Sequence, residues 1–327
     1  MSFPLQSLPD PALKHIFCCM TPLELIAISV LSTELSGLVK SLKISADRLD
    51  VILEENVTIE GVFQNGRLNI HFPNADPDVL DEKPRDINIY DRFDYMDLVW
   101  VDPGVKLRTY LKHASQIFNY SNGIDIMFWP EQEVLNMEAL SKCFVSVNAT
   151  VIGYDCSVEY AQKILKYFGP VTKSIHIYDD LFRGQSSSLV QSFAISNNDK
   201  FRVPDIRHGT LENLLTFNAE FINIRESSFP QVAVNRFIKL WMKGCNPRLK
   251  KFNYDRRMGM ENELCDRSVV LKGIKYKKVR KYVERTVGKE VIKGGYDIKS
   301  RDGRRATVLF HEYKFINTFS IVFYVWD

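Results

Sequence analysis

The strongest hydrophobic pattern in the chain is TPLELIAISVL, residues 21–31. Thr21, Pro22 and Glu24 form a capping box with proline at the first helical position, which predicts the start of a helix. Apolar residues then cover most of the helix circumference instead of one stripe. Such a helix must be buried on more than one side. Either the rest of this chain or a partner protein covers the second side.

Two further short helices flank this segment. We predict that Asp10 caps the first and that Ser32 or Thr33 caps the third. The apolar residues at helical spacing are Leu13, Ile16, Phe17 and Met20 in the first helix, and Leu35, Leu38, Val39 and Leu42 in the third. Three helices of this length form only a marginal core. Residues 1–45 are therefore predicted to be a small helical module, and residues 46–327 a second domain.

Beyond residue 46 the pattern changes to short strands and then to an alternation of helices and strands. VTIEGVF, RLNIHF and DINIY are typical of strands, as are IDIMFW, ATVIGY and SIHIY, which follow helical segments. The latter recur roughly every 25 residues, a period typical of solenoids, although the leucine-rich consensus is absent. Asp302-Gly303 predicts a hairpin, and FSIVFYVW a third strand.

The predicted fold class is therefore α/β (α+β overall). It consists of a three-helix module, then a degenerate leucine-rich-repeat-like α/β array with a largely parallel sheet, and a C-terminal antiparallel hairpin cap. Two helices of the array have clear boundaries. One is capped by Ser157 and stopped by Gly169-Pro170, and the other begins at the capping box Ser228-x-x-Gln231.

The composition is that of an ordinary globular protein. The chain is 45% hydrophobic and 25% charged, as in ordinary globular proteins. Its first residues lack the basic and apolar pattern of a signal peptide, and no apolar run approaches the length of a membrane span. We therefore expect an intracellular protein, cytoplasmic and/or nuclear, with no membrane partner. The six cysteines lack C-x-x-C spacing and are expected to be free thiols.

No motif of enzyme chemistry is present. The sequence has no nucleotide-binding glycine pattern and no nucleophile elbow. HEYKF at His311 lacks the second histidine that a zinc helix needs. Asp179-Asp180 after SIHIY is better explained as a solvated loop start than as a metal site. We therefore predict a chain that is not an enzyme, with no catalytic residue, no metal and no cofactor.

Charge is unevenly distributed. The net charge is +3, yet residues 239–305 contain 21 Lys and Arg against eight Asp and Glu. Within them KGIKYKKVRKYVER, residues 272–285, interleaves cations with Tyr276 and Tyr282, which suits phosphate contact and base stacking. A solvated basic face explains the same pattern, and no nucleic-acid-binding fold signature accompanies it. Nucleic-acid binding through residues 239–305 remains the alternative function.

The N-terminal module resembles an F-box. The resemblance rests on residues 3–42, with the Leu8-Pro9 entry, the Ile16-Phe17 pair and the ISVLS run of residues 28–32, whereas the family's basic-plus-Trp segment is replaced by TEL at residues 33–35. The remainder resembles the type 2 F-box-associated domain of nematode F-box proteins. That resemblance rests on NRFIKLWMKGCNPRLKKF (235–252), YDIKSRDGRRATV (296–308) and the closing Val325-Trp326.

The resemblance implies a substrate-recognition adaptor of a Skp–cullin–F-box ubiquitin ligase. The N-terminal helices would bind the Skp adaptor and, through it, a cullin, and residues 46–327 would recruit an unknown protein target. The implied Skp-adaptor contacts are Leu8, Pro9, Ile16, Phe17, Leu23, Leu25, Ile26 and Ile28. An interaction scaffold unrelated to ubiquitin is a third hypothesis.

The basic region predicts the chemistry of the target. Its excess of cations favours an acidic or phosphorylated protein. The possible substrate-binding residues are Arg256, Arg257, Lys277, Lys278 and Lys281.

Overall fold

A computed structural model describes most of the chain. The described residues are 8–54, 57–63, 66–72, 86–90, 96–101, 105–118, 123–130, 136–144, 146–178, 197–203, 210–225, 230–257, 265–288, 290–313, 315 and 317–326. The chain folds as two compact units, Met1–Val151 and Ile152–Asp327. The predicted domain boundary after residue 45 falls within the first unit and stays a prediction.

The first unit begins with three helices and continues into a mixed sheet. Its helices are α1 (Asp10–Cys18), α2 (Pro22–Ser29), α3 (Thr33–Ser41), α4 (Leu107–Ile117) and α5 (Met137–Ser141). Its strands are β1 (Ala46–Leu53), β2 (Val57–Phe63), β3 (Gly66–Phe72), β4 (Asp86–Tyr90), β5 (Met96–Val101), β6 (Ile124–Phe128) and β7 (Val147–Ile152), whose last residue opens the second unit.

Strand pairing in the first unit combines an antiparallel meander with a parallel edge. The strand order is β7-β6-β1-β2-β3-β4-β5, with β1 to β5 antiparallel and β6 parallel to β1. Strict alternation of buried and half-buried residues along β2 reflects one face turned to the core. On that face the Phe72 ring of β3 lies 5.3 Å from the Tyr110 ring of α4. Helix α4 thus covers the meander.

The second unit contains four helices, a 3₁₀ turn and eight strands among its described residues. The helices are α6 (Val158–Phe168), α7 (Leu211–Thr216), α8 (Gln231–Met242) and α9 (Arg267–Val270), and the 3₁₀ turn is Gly169–Val171. The strands are β8 (Thr172–Ile177), β9 (Lys200–Val203), β10 (Phe221–Ile224), β11 (Lys251–Arg257), β12 (Lys277–Val287), β13 (Glu290–Lys299), β14 (Arg305–Tyr313) and β15 (Thr318–Val325).

The strands of the second unit pair partly parallel and partly antiparallel. Strands β8, β9, β10 and β11 are parallel, and β15 then pairs antiparallel with β11, followed by β14, β13 and β12. Helix α8 packs on one face of this sheet. Its Phe237 ring lies 4.7 Å from Phe252 of β11, and its Trp241 ring 4.9 Å from Phe323 of β15. Both helix side chains are fully buried, so α8 anchors the core of this unit.

Several predicted elements are confirmed. The class is mixed α/β, with nine α-helices among the described residues. Thr21 and Ser157 cap their helices by accepting hydrogen bonds from the backbone N–H of Glu24 and Tyr160. The Asp302-Gly303 turn joins β13 and β14, and Gly303 takes the positive φ of 93° that such a turn needs.

Other predictions were wrong or lie outside the described residues. Asp10 is the first residue of α1 and not its cap, which is Pro9. Strand β9 falls in an interval that gave no clear sequence pattern. The helix predicted to begin at the Ser228 capping box begins at Gln231 and is capped by Pro230, with no side-chain hydrogen bond at the cap. Ser228 itself and Asp179-Asp180 lie outside the described residues, and the leucine-rich-repeat-like character of the array stays a prediction. None of the helices that the structure describes is long and apolar enough to cross a membrane.

Candidate functional site

The helical start of the first unit is held together by local caps and by the packing of its helices against later elements of the chain. In the Thr21–Glu24 capping box, the Thr21 N–H donates to Glu24 Oε2 at 2.8 Å. Helix α2 packs against both α3 and α4. The buried Ser29 hydroxyl donates to the Ile26 carbonyl at 2.7 Å and lies 3.2 Å from His113 Nδ1 on α4. The chain's own helix α4 therefore covers one side of α2.

The eight predicted Skp-adaptor contacts divide by exposure. Phe17, Leu25 and Ile26 are at most 1% exposed, so they present no side-chain surface to a partner in this conformation. Leu8, Ile16, Leu23 and Ile28 are half-buried, and Pro9 is exposed. Leu31, outside the predicted set, is 69% exposed. Among these residues, the apolar surface open to a partner is therefore formed by Leu8, Pro9, Ile16, Leu23 and Ile28, together with Leu31.

The five predicted substrate-binding cations lie on two different strands. Lys277, Lys278 and Lys281 are exposed on the edge strand β12, whereas Arg256 and Arg257 end strand β11. In the strand order, β13, β14 and β15 lie between β12 and β11. The ladder also aligns Lys277 with the start of β11 and not with its end. Their role in binding a target stays a prediction.

A polar row crosses the sheet face opposite to α8. The parallel register aligns His176 of β8 with Arg202 of β9, then with Asn223 of β10 and Asn253 of β11. Residues in register on adjacent strands project to the same face. The row beside it contains Lys200 of β9, Phe221 and Lys251. Polar side chains in register on four neighbouring strands give this face the character of a binding surface.

The hairpin of β12 and β13 folds back across this face. Gly295 has a φ of 105°, which favours glycine. A Cβ added at this position would lie only 2.6 Å from side-chain atoms of Leu309 and Thr307, so only glycine fits the bend. Beyond the bend, Ile292 packs with Leu309 and Val322 in a small apolar cluster. The close approach of β13 to the sheet thus depends on Gly295.

Strand β13 is anchored through Glu290. The Lys251 ammonium and the Tyr324 hydroxyl donate to its carboxylate at 2.7 and 2.6 Å. Burial alone would raise the pKa of Glu290, but these two hydrogen bonds outweigh it and hold the pKa below its usual value. The carboxylate is therefore ionised and paired at neutral pH.

A groove of about 710 Å³ lies between the hairpin and the sheet. We call it the sheet groove. Its charged and polar lining comes from His176, Lys200, Arg202, Asn223, Lys250, Lys251, Asn253, Glu290 and Tyr324. Burial, with the nearby charges of Arg202 and Lys200, lowers the pKa of His176 to about 4, so this imidazole is neutral at pH 7. A second cavity of about 620 Å³ on the same face shares Lys251, Asn253 and Tyr324 with it.

Two family models match separate segments of the chain. Residues 5–46 match the family model of the F-box domain, and residues 189–254 match the model described as F-box associated. The chain is an F-box protein with an F-box-associated domain. A relative, the F-box associated domain-containing protein sdz-33 of Caenorhabditis elegans, is 21% identical over 314 residues, 94% of this chain and 93% of the relative. No solved structure matches the chain.

The two families set the general function of this F-box protein. F-box and F-box-associated domains together are those of substrate adaptors of Skp–cullin–F-box ubiquitin ligases, which are adaptors rather than enzymes. F-box domains bind the Skp adaptor in these complexes. The floor of the sheet groove on β9, β10 and β11 lies within the matched residues 189–254, whereas Lys277, Lys278 and Lys281 lie outside them.

Strand β9 of this F-box protein supplies the cations that the sequence interpretation missed. KFRV alternates charged and apolar residues, and its burial follows that alternation, with Phe201 and Val203 buried. The period of two is a strand signal, but it extends over only four residues. Lys200 and Arg202 were therefore assigned to an irregular interval.

The described residues of this F-box protein contain no group of three or more His, Cys, Asp or Glu placed to hold a metal ion. The cysteines are free thiols, as predicted. Burial raises the pKa of the Cys265 thiol to about 12, so it is protonated at neutral pH and a poor nucleophile.

Proposed function

We infer that this chain is the substrate-recognition subunit of a Skp–cullin–F-box ubiquitin ligase. Its N-terminal helices bind the Skp adaptor and thereby a cullin, and its F-box-associated domain holds a target protein. In this proposal the functional modules are residues 1–45 and 46–327, and the protein works in the cytoplasm, the nucleus or both. The observation that carries it is the F-box match over residues 5–46 followed by the F-box-associated match.

The distribution of apolar residues supports docking at the helices. Half-buried Leu23 and Ile28 and exposed Leu31 belong to α2 and the residues just after it. Burying an apolar side chain of this size yields roughly 1.5–3 kcal/mol relative to leaving it exposed. A helical partner surface that covers these residues would gain that energy without unfolding α2 from α4.

Substitution of two half-buried contacts tests the proposal. In Leu23→Asp/Ile28→Asp, two charges would be desolvated at the contact, so affinity for the purified Skp adaptor should fall by about 100-fold or more. Binding is measured by calorimetry on the full chain. We prefer these substitutions to deletion of residues 1–45, because deletion would uncover the side of α4 that contacts α2 and α3.

A matched variant controls for the added charges. Val171 and Val232, in the second unit, are 38% and 48% exposed, and Val171→Asp/Val232→Asp should bind the Skp adaptor as the unchanged chain does. Circular dichroism must show that both variants melt near the temperature of the unchanged chain. Failure of the unchanged chain to bind the Skp adaptor would refute the proposed function.

The exposed edge strand favours a second candidate function, nucleic-acid binding through residues 239–305. Lys277, Lys278 and Lys281 of β12 are exposed, and Tyr282 beside them is 71% exposed. Phosphate contacts by these lysines predict retention of single-stranded RNA that weakens steeply as salt rises. Changing the three lysines and Arg280 to Glu should abolish that retention in a filter-binding assay. Unchanged retention would eliminate this candidate.

A further inference from the structure

We propose that the sheet groove holds an extended peptide segment of the target through an acidic side chain, a carboxylate or a phosphoryl group, seated on Lys200 and Arg202. The proposal rests on the function inferred above and adds to it a place and a chemistry for target recognition. It also moves the site away from the residues predicted from sequence.

The charges of the groove favour an anionic ligand. Four cations line it, namely Lys200, Arg202, Lys250 and Lys251, against one carboxylate. That carboxylate, Glu290, already pairs with Lys251 at 2.7 Å, and Lys250 pairs with Glu220 at 2.9 Å. Lys200 and Arg202 have no ion-pair partner in the described part of the chain. Two uncompensated cations side by side in a concave surface concentrate anions there.

Hydrogen-bonding capacity also remains at the groove floor. The buried Asn223 Oδ1 and Arg202 Nε make no hydrogen bond among the described residues. Unpaired buried polar atoms are costly and gain from a partner. Arg202 and Asn223 are directly in register on β9 and β10. A small rotation of these half-buried side chains would let the Arg202 guanidinium donate to an anionic group. The Asn223 amide could then bind the peptide backbone beside that group.

Size and apolar lining fit a peptide. The groove volume of about 710 Å³ is within the range of about 300–1,000 Å³ that is usual for ligand sites. Half-buried Phe221 lies on the sheet side and half-buried Val287 on the hairpin side. They provide apolar contacts for the residues that flank the acidic side chain.

Defined peptides test the proposal on the full chain. The probes are fluorescent 12-residue peptides with randomised flanks and a fixed central residue, which is phosphoserine, Glu or Gln, and binding is followed by anisotropy. Charge-assisted hydrogen bonds should make the phosphoserine or Glu peptides bind about tenfold tighter than the Gln peptides. If the phosphoserine peptides bind more tightly than the Glu peptides, the natural ligand is a phosphoryl group. If the two bind equally well, the ligand is a carboxylate. Each result supports the proposal.

Two paired variants locate the binding. Lys200→Ala/Arg202→Ala should remove the preference for the acidic peptides, whereas Lys277→Ala/Lys278→Ala, with the same loss of charge on β12, should retain it. Thermal unfolding checks that both remain folded, and Lys200→Glu, at an exposed position, replaces the first pair if that pair melts early. A preference absent from the unchanged chain, or lost equally in both pairs, would overturn the proposal.

Binding of the Skp adaptor separates this result from the proposed function. Neither pair lies in the F-box region, so both should bind the adaptor as the unchanged chain does. Adaptor binding without an acidic preference would refute the sheet-groove site and leave the ubiquitin-ligase function standing. An acidic preference without adaptor binding would support the site while refuting that function.

Discussion

Ile26→Asp should unfold the helical start of the chain instead of merely blocking a partner. Ile26 is 0% exposed and lies in the part of α2 that packs against α3 and α4. A carboxylate there would be desolvated, so the free energy of unfolding should fall by about 3–5 kcal/mol. Urea denaturation followed by circular dichroism measures the change, and Skp-adaptor binding would be lost as a consequence.

Leu31→Asp is the matched control for this variant. Leu31 is 69% exposed, so the same type of substitution two residues beyond α2 should change the free energy of unfolding by less than about 0.5 kcal/mol. If Ile26→Asp retained full stability and lost only adaptor binding, Ile26 would be a surface contact. That result would contradict the packing of α2 against α4 described above.

Trp241→Ala should be the most destabilising single truncation in α8. Trp241 is fully buried, its ring meets Phe323 edge to face, and the Arg304 guanidinium lies 5.1 Å from its centre. Removing a buried aromatic side chain leaves a cavity, and the expected loss is about 3–5 kcal/mol of unfolding free energy. Denaturant titration followed by far-ultraviolet circular dichroism avoids dependence on tryptophan fluorescence.

Val232→Ala provides the comparison on the same helix. Val232 is 48% exposed, and its truncation should cost less than about 0.5 kcal/mol. A loss of similar size in both variants would mean that the measurement reports helix propensity and not core packing. A loss below about 1 kcal/mol for Trp241→Ala would contradict the core position of this side chain.

Local structure was largely predictable from the sequence. The cap residues Thr21 and Ser157 were identified, and the third helix cap was narrowed to Ser32 or Thr33, because a side-chain oxygen followed by a helical apolar pattern is a short-range signal. The Asp302-Gly303 turn was identified for the same reason, since only a few residue types accept its backbone geometry. These features depend on neighbours within a few residues, which a sequence displays directly.

The candidate sites depend on long-range packing and were predictable only in part. Burial of Ile26 follows from α4, which is about eighty residues further along the chain. Separation of Arg257 from Lys277 follows from the strand order, in which β15 lies between β11 and β14. Neither the burial of Ile26 nor the separation of Arg257 from Lys277 can be predicted from residues that are close in the sequence. The β9 alternation that carries Lys200 is local, but four residues are too few for a firm prediction.

The position of β15 has a consequence for synthesis of the chain. Strand β11 has no antiparallel partner until residues 318–325 have been made, more than sixty residues after β11 itself. At about 5–20 residues per second, the edge of β11 would stay open for roughly 3–13 s on the ribosome. An open strand edge is a template for unwanted pairing. A chaperone that shields nascent edges should therefore matter most for this protein in that interval.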